Sequence, residues 1–434
     1  MKRLLRWLYP GLRVKRWLAL ILIGVGLITL GVMLFLDTGV VGINNRLAQW
    51  FTDLSGAEFF SWIWGVVAIV LGLIVMLLAL RQLVRSITSV VSPQTHGRLA
   101  ETIYQKRHLS GGPRIVTIGG GTGLSTLLRG LKETSGEIAA LVAVSDDGGS
   151  SGRLRREMGM PPPGDIRNCL VALAEAEPLM TELFQYRFPE AEAKSLDGHS
   201  FGNLLIAAMT AITGDFERAV RETSKVLAIR GRVLPSTLQD VRLKAQLADG
   251  STIEGESKIG HCNSPIVKLM LDPPDAEPLE EAIEAILNAE AIIAGPGSLF
   301  TSVMPNLLVK GMVPAIRRSN ATTIYICNVM TQPGETNGFT ASAHLRALIC
   351  QLGCNPFRYV LVNKIRPAPE VLAAYAAEGA QFVEPDFDQI AALGSEPIPA
   401  DVLSRTNLAR HDPHRLAAAL MPILMQGKET VPVK

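Results

Sequence analysis

The sequence predicts an α/β protein with a Rossmann-like, doubly wound and mostly parallel sheet, preceded by two transmembrane helices. Three observations support this prediction. Two uncharged runs of 20 residues stand near the N-terminus. From Arg114 onward, short β-branched segments alternate with helical segments. Several of the predicted strands lead directly into loops rich in glycine, Asp or Asn, as strands do at the ligand-binding edge of such a sheet.

The first element is a membrane hairpin, predicted over residues 1–85. Its runs Trp17–Leu36 and Ser61–Leu80 are each long enough to cross the hydrocarbon core. The alternative for the first run is a cleaved signal peptide, and the alternative for both runs is a buried core helix. The first run is longer than the apolar region of a typical signal peptide, and two runs without any charge disfavour core helices.

Charges around the two runs predict their orientation. The segment between the runs carries Asp37, Asp53 and Glu58 against only Arg46. The outer flanks are basic, with Lys2, Arg3, Arg6, Arg13, Lys15 and Arg16 before the first run and Arg81 and Arg85 after the second. The positive-inside rule therefore predicts a multi-pass protein of the cell (inner) membrane, with both termini and the main domain in the cytoplasm. The basic flank also favours contact with anionic membrane lipid.

Composition excludes several classes of function. The net charge of +2 over 434 residues gives no basic field for nucleic acid, so no nucleic-acid partner is expected. Five cysteines, an odd number placed mostly in apolar segments, indicate reduced thiols rather than a disulfide framework. Cys350 and Cys354 are spaced for one helical face, but no second Cys or His pair completes a zinc site.

A linker is predicted over residues 86–112, and a cytoplasmic domain over 113–434. The domain opens with the strand Ile115–Ile118, a glycine-rich turn and a helical run. Glycine lets the backbone approach a bulky anion, and the first N–H groups of a helix point towards it. The candidate phosphate-binding residues of this turn are Gly119, Gly120, Gly121, Thr122, Gly123 and Ser125.

The second strand, Ile138–Val144, leads to Asp146 and Asp147 at the edge of the sheet. Adjacent carboxylates on an extended chain point in different directions. One of them is therefore expected to face the crevice, where it can bind a metal or a ligand hydroxyl, while the other caps the next turn. The loop that follows offers anion donors in Ser150, Ser151 and Arg153. The alternative is a long solvated turn.

Two further helices are predicted, over residues 166–186 and 202–213, and each begins with polar residues. Asp165 is read as a helix N-cap, and Asn168 is placed to reach a phosphate. His199 is either a general base or a structural hydrogen-bonding residue, and Asn203 follows it at the start of the second helix. A β-hairpin is then predicted from 241 to 254, turning at Asp249-Gly250.

The later strands again end in glycine and amide loops. Ala291–Ala294 leads into a second glycine turn before a helix over 299–308, and the strands Thr322–Cys327 and Tyr359–Val362 end at Asn residues. The candidate ligand-binding residues here are Gly295, Gly297, Ser298, Asn328 and Thr331. There is no Walker lysine, no HExxH-type metal pair and no Ser–His–Asp order. These loops therefore indicate the binding of a phosphorylated ligand more clearly than they indicate catalysis.

Six ordered motifs together resemble the YvcK-like family of gluconeogenesis factors, within the CofD-like superfamily. The resemblance runs from about Arg114 to Asp412, and its motifs are GGGTGLS, DDGGSSG, PPGDIRN, GHSFGN, GPGSLFTS and NVMTQPGET. It implies a Rossmann-like fold, binding of UDP-sugars, notably UDP-N-acetylglucosamine, and a role in cell shape, envelope synthesis and gluconeogenic growth. Tyr375 and Arg410 resemble the Tyr and Arg that bind the UDP-sugar in that family. Many of its members begin almost at the glycine loop, whereas this chain carries a membrane hairpin.

Three functions remain open. The first is a membrane-anchored UDP-sugar-binding regulator that requires no cofactor, acts through an unidentified protein partner and forms a homo-oligomer. The second is a CofD-like transferase, in which Asp146 or Asp147 would be catalytic and hold Mg²⁺. The third is an NAD-dependent dehydrogenase, disfavoured because the glycine turn lacks the last glycine of GxGxxG and Glu137 stands before a strand.

Overall fold

The structure, a computed structural model, describes residues 14–35, 61–91, 109, 111–175, 178–189, 196–262, 264–405 and 408–426. The chain divides into two compact units, residues 1–106 and 107–434. Several predicted features lie outside the described residues: the basic residues Lys2, Arg3, Arg6 and Arg13, the acidic segment between the two apolar runs, and most of the linker predicted over 86–112.

The N-terminal unit contains two helices, α1 (Val14–Phe35) and α2 (Ser61–Val91). Both are long and apolar enough to cross a membrane. Their outer faces are covered with exposed apolar side chains, among them Leu22 at 72% and Leu77 at 61% exposure. A helix in water would bury such side chains, whereas lipid solvates them. The predicted pair of membrane-length helices is therefore present, and α2 continues past the predicted end at Leu80.

Glycines allow α1 and α2 to pack closely against each other. A Cβ atom at Gly31 would lie 2.7 Å from the carbonyl oxygen of Gly65, and one at Gly24 would lie 3.0 Å from that of Gly72. Gly26, on the same helix as Gly24 and Gly31, has no atom within 4 Å of its hypothetical Cβ. Small residues that let two backbones approach are the usual basis of helix association in membranes.

The Gly31→Leu variant should therefore lose the close packing of the helical pair, whereas Gly26→Leu should retain it. Overpacking typically costs about 1–3 kcal/mol, so the thermal midpoint of the full chain's helical hairpin in detergent should fall only for Gly31→Leu. Circular dichroism of the two variants measures this difference. Equal midpoints would show that the contact does not stabilise the pair.

The second unit is built on a seven-stranded sheet. Its strands are β1 (Ile115–Gly119), β2 (Ile138–Val142), β3 (Arg232–Pro235), β7 (Ala291–Ala294), β8 (Thr322–Ile326), β9 (Tyr359–Asn363) and β10 (Glu396–Ala400). Their order in the sheet is β10-β9-β8-β7-β1-β2-β3, and all neighbouring strands are parallel. A smaller antiparallel sheet has the order β5-β4-β6 and consists of β4 (Arg242–Leu247), β5 (Thr252–Glu254) and β6 (Ile266–Asp272). The predicted α/β class and parallel sheet are confirmed.

Helices cover both faces of the large sheet, and two apolar cores lie between the layers. The helices are α3 (Gly121–Leu131), α4 (Gly149–Met158), α5 (Gly164–Leu173), α6 (Pro178–Gln185), α7 (Phe201–Thr213), α8 (Phe216–Val226), α9 (Glu256–Ile259), α10 (Glu280–Leu287), α11 (Met304–Leu308), α12 (Met312–Arg318), α13 (Ala341–Leu352), α14 (Pro369–Ala377), α15 (Phe387–Ala392) and α16 (Pro413–Gln426). Every residue of β1, β2, β7 and β9 is buried, as expected for central parallel strands.

The strand order reverses between β1 and β7, which are neighbours in the sheet. From β1 the chain proceeds to β2 and β3 on one side, and from β7 to β8, β9 and β10 on the other. Loops from adjacent strands that turn to opposite sides leave a crevice at the carboxyl edge of the sheet. The two glycine turns predicted from the sequence follow these two strands, so the fold brings them together.

The structure differs from the sequence-based predictions at three places. The helix predicted over 166–186 is two helices, α5 and α6, with extended backbone at Ala174. The helix over 299–308 begins with a π-helical turn, Leu299–Val303, in which the N–H of Val303 donates to the carbonyl of Ser298. The strands β3, β6 and β10 were not predicted, because β3 and β10 are short and contain proline and β6 mixes charged with apolar residues.

Candidate functional site

A crevice of about 420 Å³ opens where the strand order reverses. Both glycine turns that the sequence predicts contribute to its lining. Its lining includes Gly120, Gly121, Thr122, Gly123, Gly297, Ser298, Asn328, Thr331, Tyr375 and Arg410, all of them predicted ligand-binding residues. These residues span nearly 300 positions of sequence, and the topology of the sheet is what places them around one space.

The first glycine turn ends in the N-terminus of α3. Gly121 has a φ of +61°, a conformation that favours glycine. Gly123 lies against the second glycine turn, because a Cβ there would be 2.3 Å from the carbonyl oxygen of Pro296. The cap of α3, Gly120, has no side chain to satisfy the first N–H groups of the helix. Those N–H groups and the positive end of the helix dipole are suited to an anion in the crevice.

The second glycine turn is held by Asn328, at the end of β8. The Asn328 side chain accepts a hydrogen bond from the Gly297 N–H at 3.1 Å and donates one to the Gly297 carbonyl at 2.8 Å. Ser298 caps the π-helical turn by accepting from the Thr301 N–H at 3.0 Å and donates to the buried carboxylate of Glu335. Burial raises the pKa of Glu335. This turn is therefore fixed by a side-chain amide and a buried carboxyl group before any ligand binds.

Tyr375 and Arg410 line the crevice from the C-terminal half of the chain. The ring of Tyr375 packs against a small apolar cluster that contains Val329, Met330 and Ala409, and this cluster fixes its position. Arg410 is exposed and forms no ion pair among the described residues. An aromatic face and an unpaired guanidinium group beside two glycine turns suit a ligand that combines a ring with phosphate groups.

Three carboxyl groups meet next to the first glycine turn: Asp146, Asp165 and Glu256. Asp165 accepts hydrogen bonds from the Gly121 N–H and the Asn168 side chain, yet burial and the nearby Asp146 raise its pKa to about 6. Burial, and then the charge of Asp146, raise the pKa of Glu256 to about 9, and the two side chains share a hydrogen bond. Glu256 therefore holds a proton at neutral pH.

The two adjacent aspartates of the second loop point to different places, as the sequence analysis expected of them. Asp146 accepts from the Gly148 N–H at 2.9 Å and remains beside Asp165 and Glu256. Asp147 turns away and accepts from the Ser257 N–H at 2.9 Å, so it caps the short helix α9. Asp165 does not cap α5, whose N-cap is Pro163. The carboxylate paired with Asp146 is therefore Asp165 and not Asp147.

A buried polar cluster joins the starts of α4 and α7. Ser150 Oγ lies 2.9 Å from His199 Nδ1 and accepts from the Asn203 side chain at 3.1 Å. All three residues are at most 5% exposed, and burial lowers the pKa of His199. Arg167 links this cluster to the carboxyl groups, since it donates to Ser200 and to the Asn168 side chain. This environment favours the structural role of His199 over that of a general base open to the crevice.

The other predicted residues support the loops from outside the lining of the crevice. Ser125 is 3% exposed and donates to the Gly121 carbonyl at 3.0 Å. Gly119 ends β1, and Gly295, with a φ of +79°, follows β7. Ser151 lies beside Gly164, where a Cβ would approach its hydroxyl group, and Arg153 donates to the Asp197 carbonyl.

Several residues at the site were not predicted from the sequence as ligand-binding residues. They are Asp165, Glu256, Ser302, Gln332, Glu335 and His411. Asp165 stands in the PPGDIRN motif, which could have identified it as a site residue. The sequence-based interpretation assigned it to helix capping instead. No sequence motif marked Glu256 as a site residue, because it follows the small β-hairpin and is brought beside Asp146 only by the tertiary fold.

Comparison with known proteins gives consistent matches. The CofD family, described as 2-phospho-L-lactate transferase CofD, matches residues 115–403. The gluconeogenesis factor of Bacillus subtilis (strain 168) is 48% identical over 72% of this chain and 99% of its own length. A relative from Nostoc sp. (strain PCC 7120) is 48% identical over 96% of this chain and 91% of its own. A crystal structure of a UPF0052 family member from Bacillus halodurans, 48% identical, has a TM-score of 0.69 and covers 71% of this chain and 99% of that one.

Proposed function

Since this chain belongs to the CofD family and, within it, to the gluconeogenesis factors, we propose that it is a membrane-anchored regulator that binds a UDP-sugar. The ligand is of the UDP-N-acetylglucosamine type and occupies the crevice between β1 and β7. The bound state is transmitted to a protein partner that controls cell shape, envelope synthesis and gluconeogenic growth.

One observation carries this proposal: Tyr375 and Arg410 line the same crevice as both glycine turns. The backbone N–H groups of the turns and the guanidinium group suit the diphosphate, and the phenol ring suits the base or the sugar. A regulatory role is supported by the name of the B. subtilis relative, gluconeogenesis factor, which describes no reaction.

A binding experiment tests the ligand class. Titration calorimetry of the full chain in detergent, with UDP-N-acetylglucosamine, GDP and NAD, should show the highest affinity for the UDP-sugar. Recovery of intact UDP-sugar after long incubation would agree with a regulator. Preferential binding of NAD would contradict the proposal and favour the dehydrogenase.

The proposal of a membrane anchor is supported by the length and composition of α1 and α2 and by the charges that flank them in the sequence. Reporters fused after Lys434 and within residues 42–56 should map to opposite sides of the inner membrane, with the Lys434 reporter in the cytoplasm. A cytoplasmic signal from both positions would contradict the hairpin.

The second candidate is a CofD-like transferase of phosphorus-containing groups, and the pair Asp146 and Asp165 favours it. Mg²⁺ is commonly held by one or two carboxylates together with substrate phosphates, so this pair beside a phosphate-binding turn fits the ion. Mg²⁺ would supply charge stabilisation for the transferred group, and these two residues would hold it. Among the described residues no group of three or more ligands is arranged for a metal.

Turnover distinguishes the two candidates. Assays with Mg²⁺, UDP-sugar or GDP-linked donors and candidate acceptors should give no multiple turnovers for a regulator. A transferase should turn over, and Asp146→Asn or Asp165→Asn should abolish turnover while nucleotide still binds. Asp147→Asn is the matched control, because its carboxylate is engaged with α9.

A further inference from the structure

A second pocket lies behind Asp147, between α4 and the β4–β5 hairpin. Its volume is about 280 Å³, and it shares no lining residue with the crevice. Four basic and two acidic side chains line it together with two glycines: Arg155, Arg156, Arg242, Lys258, Asp147, Glu254, Gly152 and Gly255. The lining therefore carries two more cationic than anionic side chains.

The cations of this pocket differ in how they are held. Arg155 is 8% exposed, and its guanidinium donates to Asp240 at 2.7 Å and to the Val241 carbonyl at 2.6 Å. Arg242 is more exposed and lies 3.5 Å from Glu254. The Arg155 side chain is therefore held in place by two partners, and Asp240 partly neutralises its charge. The Arg242 side chain has a longer contact and is more exposed to solvent.

Arg156 and Lys258 form no ion pair within the part of the chain that the structure describes. Arg156 donates a long hydrogen bond, 3.4 Å, to the Asp147 carbonyl. The Asp147 carboxylate accepts from the Ser257 N–H at 2.9 Å and offsets one of these two cations. Arg156 on α4 and Lys258 on α9 therefore leave an excess of positive charge in one small space.

We propose that this pocket is a second anion-binding site and takes a phosphate-bearing ligand bridged by Arg156 and Lys258. Guanidinium groups bind phosphate oxygens through two parallel hydrogen bonds, and an ammonium group adds a mobile point charge. The two cations repel each other until an anion binds between them. The phosphate belongs either to a soluble phosphorylated compound or to a phospholipid headgroup.

Binding at this pocket would also act on the carboxyl groups of the crevice. Lys258 and Glu256 stand on the same short helix, and Ser257 between them holds Asp147. An anion that fixes Lys258 against α4 would fix Glu256 beside Asp146. The pocket is therefore placed to couple an anionic effector to the carboxyl cluster.

Inorganic pyrophosphate is the probe, and the protein is the full chain in detergent. Calorimetry should detect binding that Arg156→Gln/Lys258→Gln weakens by at least about tenfold. Arg129→Gln/Lys268→Gln is the matched control, because both residues are exposed and lie outside both pockets, and it should bind as tightly as the unchanged protein. Arg410→Ala removes a crevice cation that forms no ion pair among the described residues, and the pyrophosphate binding that depends on Arg156 and Lys258 should persist in this variant.

Loss of pyrophosphate binding in Arg410→Ala, with full binding in Arg156→Gln/Lys258→Gln, would overturn the proposal. Lipid nanodiscs then identify the source of the phosphate. If pyrophosphate binds equally in phosphatidylcholine and phosphatidylglycerol nanodiscs, the site takes a soluble compound. If phosphatidylglycerol weakens binding, and this competition requires Arg156 and Lys258, the site takes a headgroup. Both results support the site.

Discussion

The Arg410→Ala variant should bind UDP-N-acetylglucosamine between about 10- and 100-fold more weakly than the unchanged protein. A hydrogen bond to a charged group contributes about 1.5–3 kcal/mol, and the guanidinium group of Arg410 is the exposed cation of the crevice that forms no ion pair among the described residues. Tyr375→Ala should weaken binding by up to about tenfold, because the ligand loses an aromatic face. Titration calorimetry gives both dissociation constants.

Arg366→Ala is the matched control for this series. Arg366 is also exposed, but it pairs with Glu384 and lies over the Phe382 ring, outside the lining of the crevice. It should bind the UDP-sugar with unchanged affinity. A folded Arg410→Ala protein with the affinity of the unchanged chain would remove Arg410 from the ligand site.

The Glu256→Gln variant should unfold at higher temperature than the unchanged protein at pH 8 and with less dependence on pH. The pKa of Glu256 is raised from 4.5 to about 9, so the folded protein holds a proton that the unfolded chain releases between these values. Stability conferred by such a group is fully present below the lower pKa and is lost as pH rises. The loss is about 1.4 kcal/mol per pH unit for one proton.

Glutamine keeps the hydrogen bond to Asp146 without a proton that can be lost, so the stability of the variant should no longer fall over this range. The difference in stability between the variant and the unchanged protein should therefore grow as pH rises from 5 to 8. The pKa of Asp165 is raised from 3.8 to about 6, so this group also makes stability fall as pH rises. Its effect lies at lower pH and is present in both proteins. Thermal midpoints of the full chain between pH 5 and pH 9 measure the difference.

Glu254→Gln is the control for the second series. Glu254 stands two residues before Glu256 but is 47% exposed and contacts Arg242 and Lys244 on the surface. Its midpoints should follow those of the unchanged chain. If Glu256→Gln retained the full pH dependence, the shared proton between Glu256 and Asp146 would be excluded as its source.

Local sequence signals identified the membrane-length helices, the α/β class and the glycine turns. An uncharged run of about 20 residues or a strand followed by three glycines is defined by consecutive residues, and its structure follows from solvation and backbone freedom. For the same reason Ala291–Ala294 and its glycine turn were predicted with their observed bounds.

The tertiary structure decided which of these loops meet and where individual side chains point. Asp146 and Asp147 are equivalent in sequence, and only the position of α9 turns Asp147 towards the Ser257 N–H and leaves Asp146 beside Asp165 and Glu256. Glu256 stands 110 residues further along the chain than Asp146, and their proton is shared only because the hairpin folds back over the sheet edge. Contacts between distant residues depend on strand order and packing, which no short motif encodes.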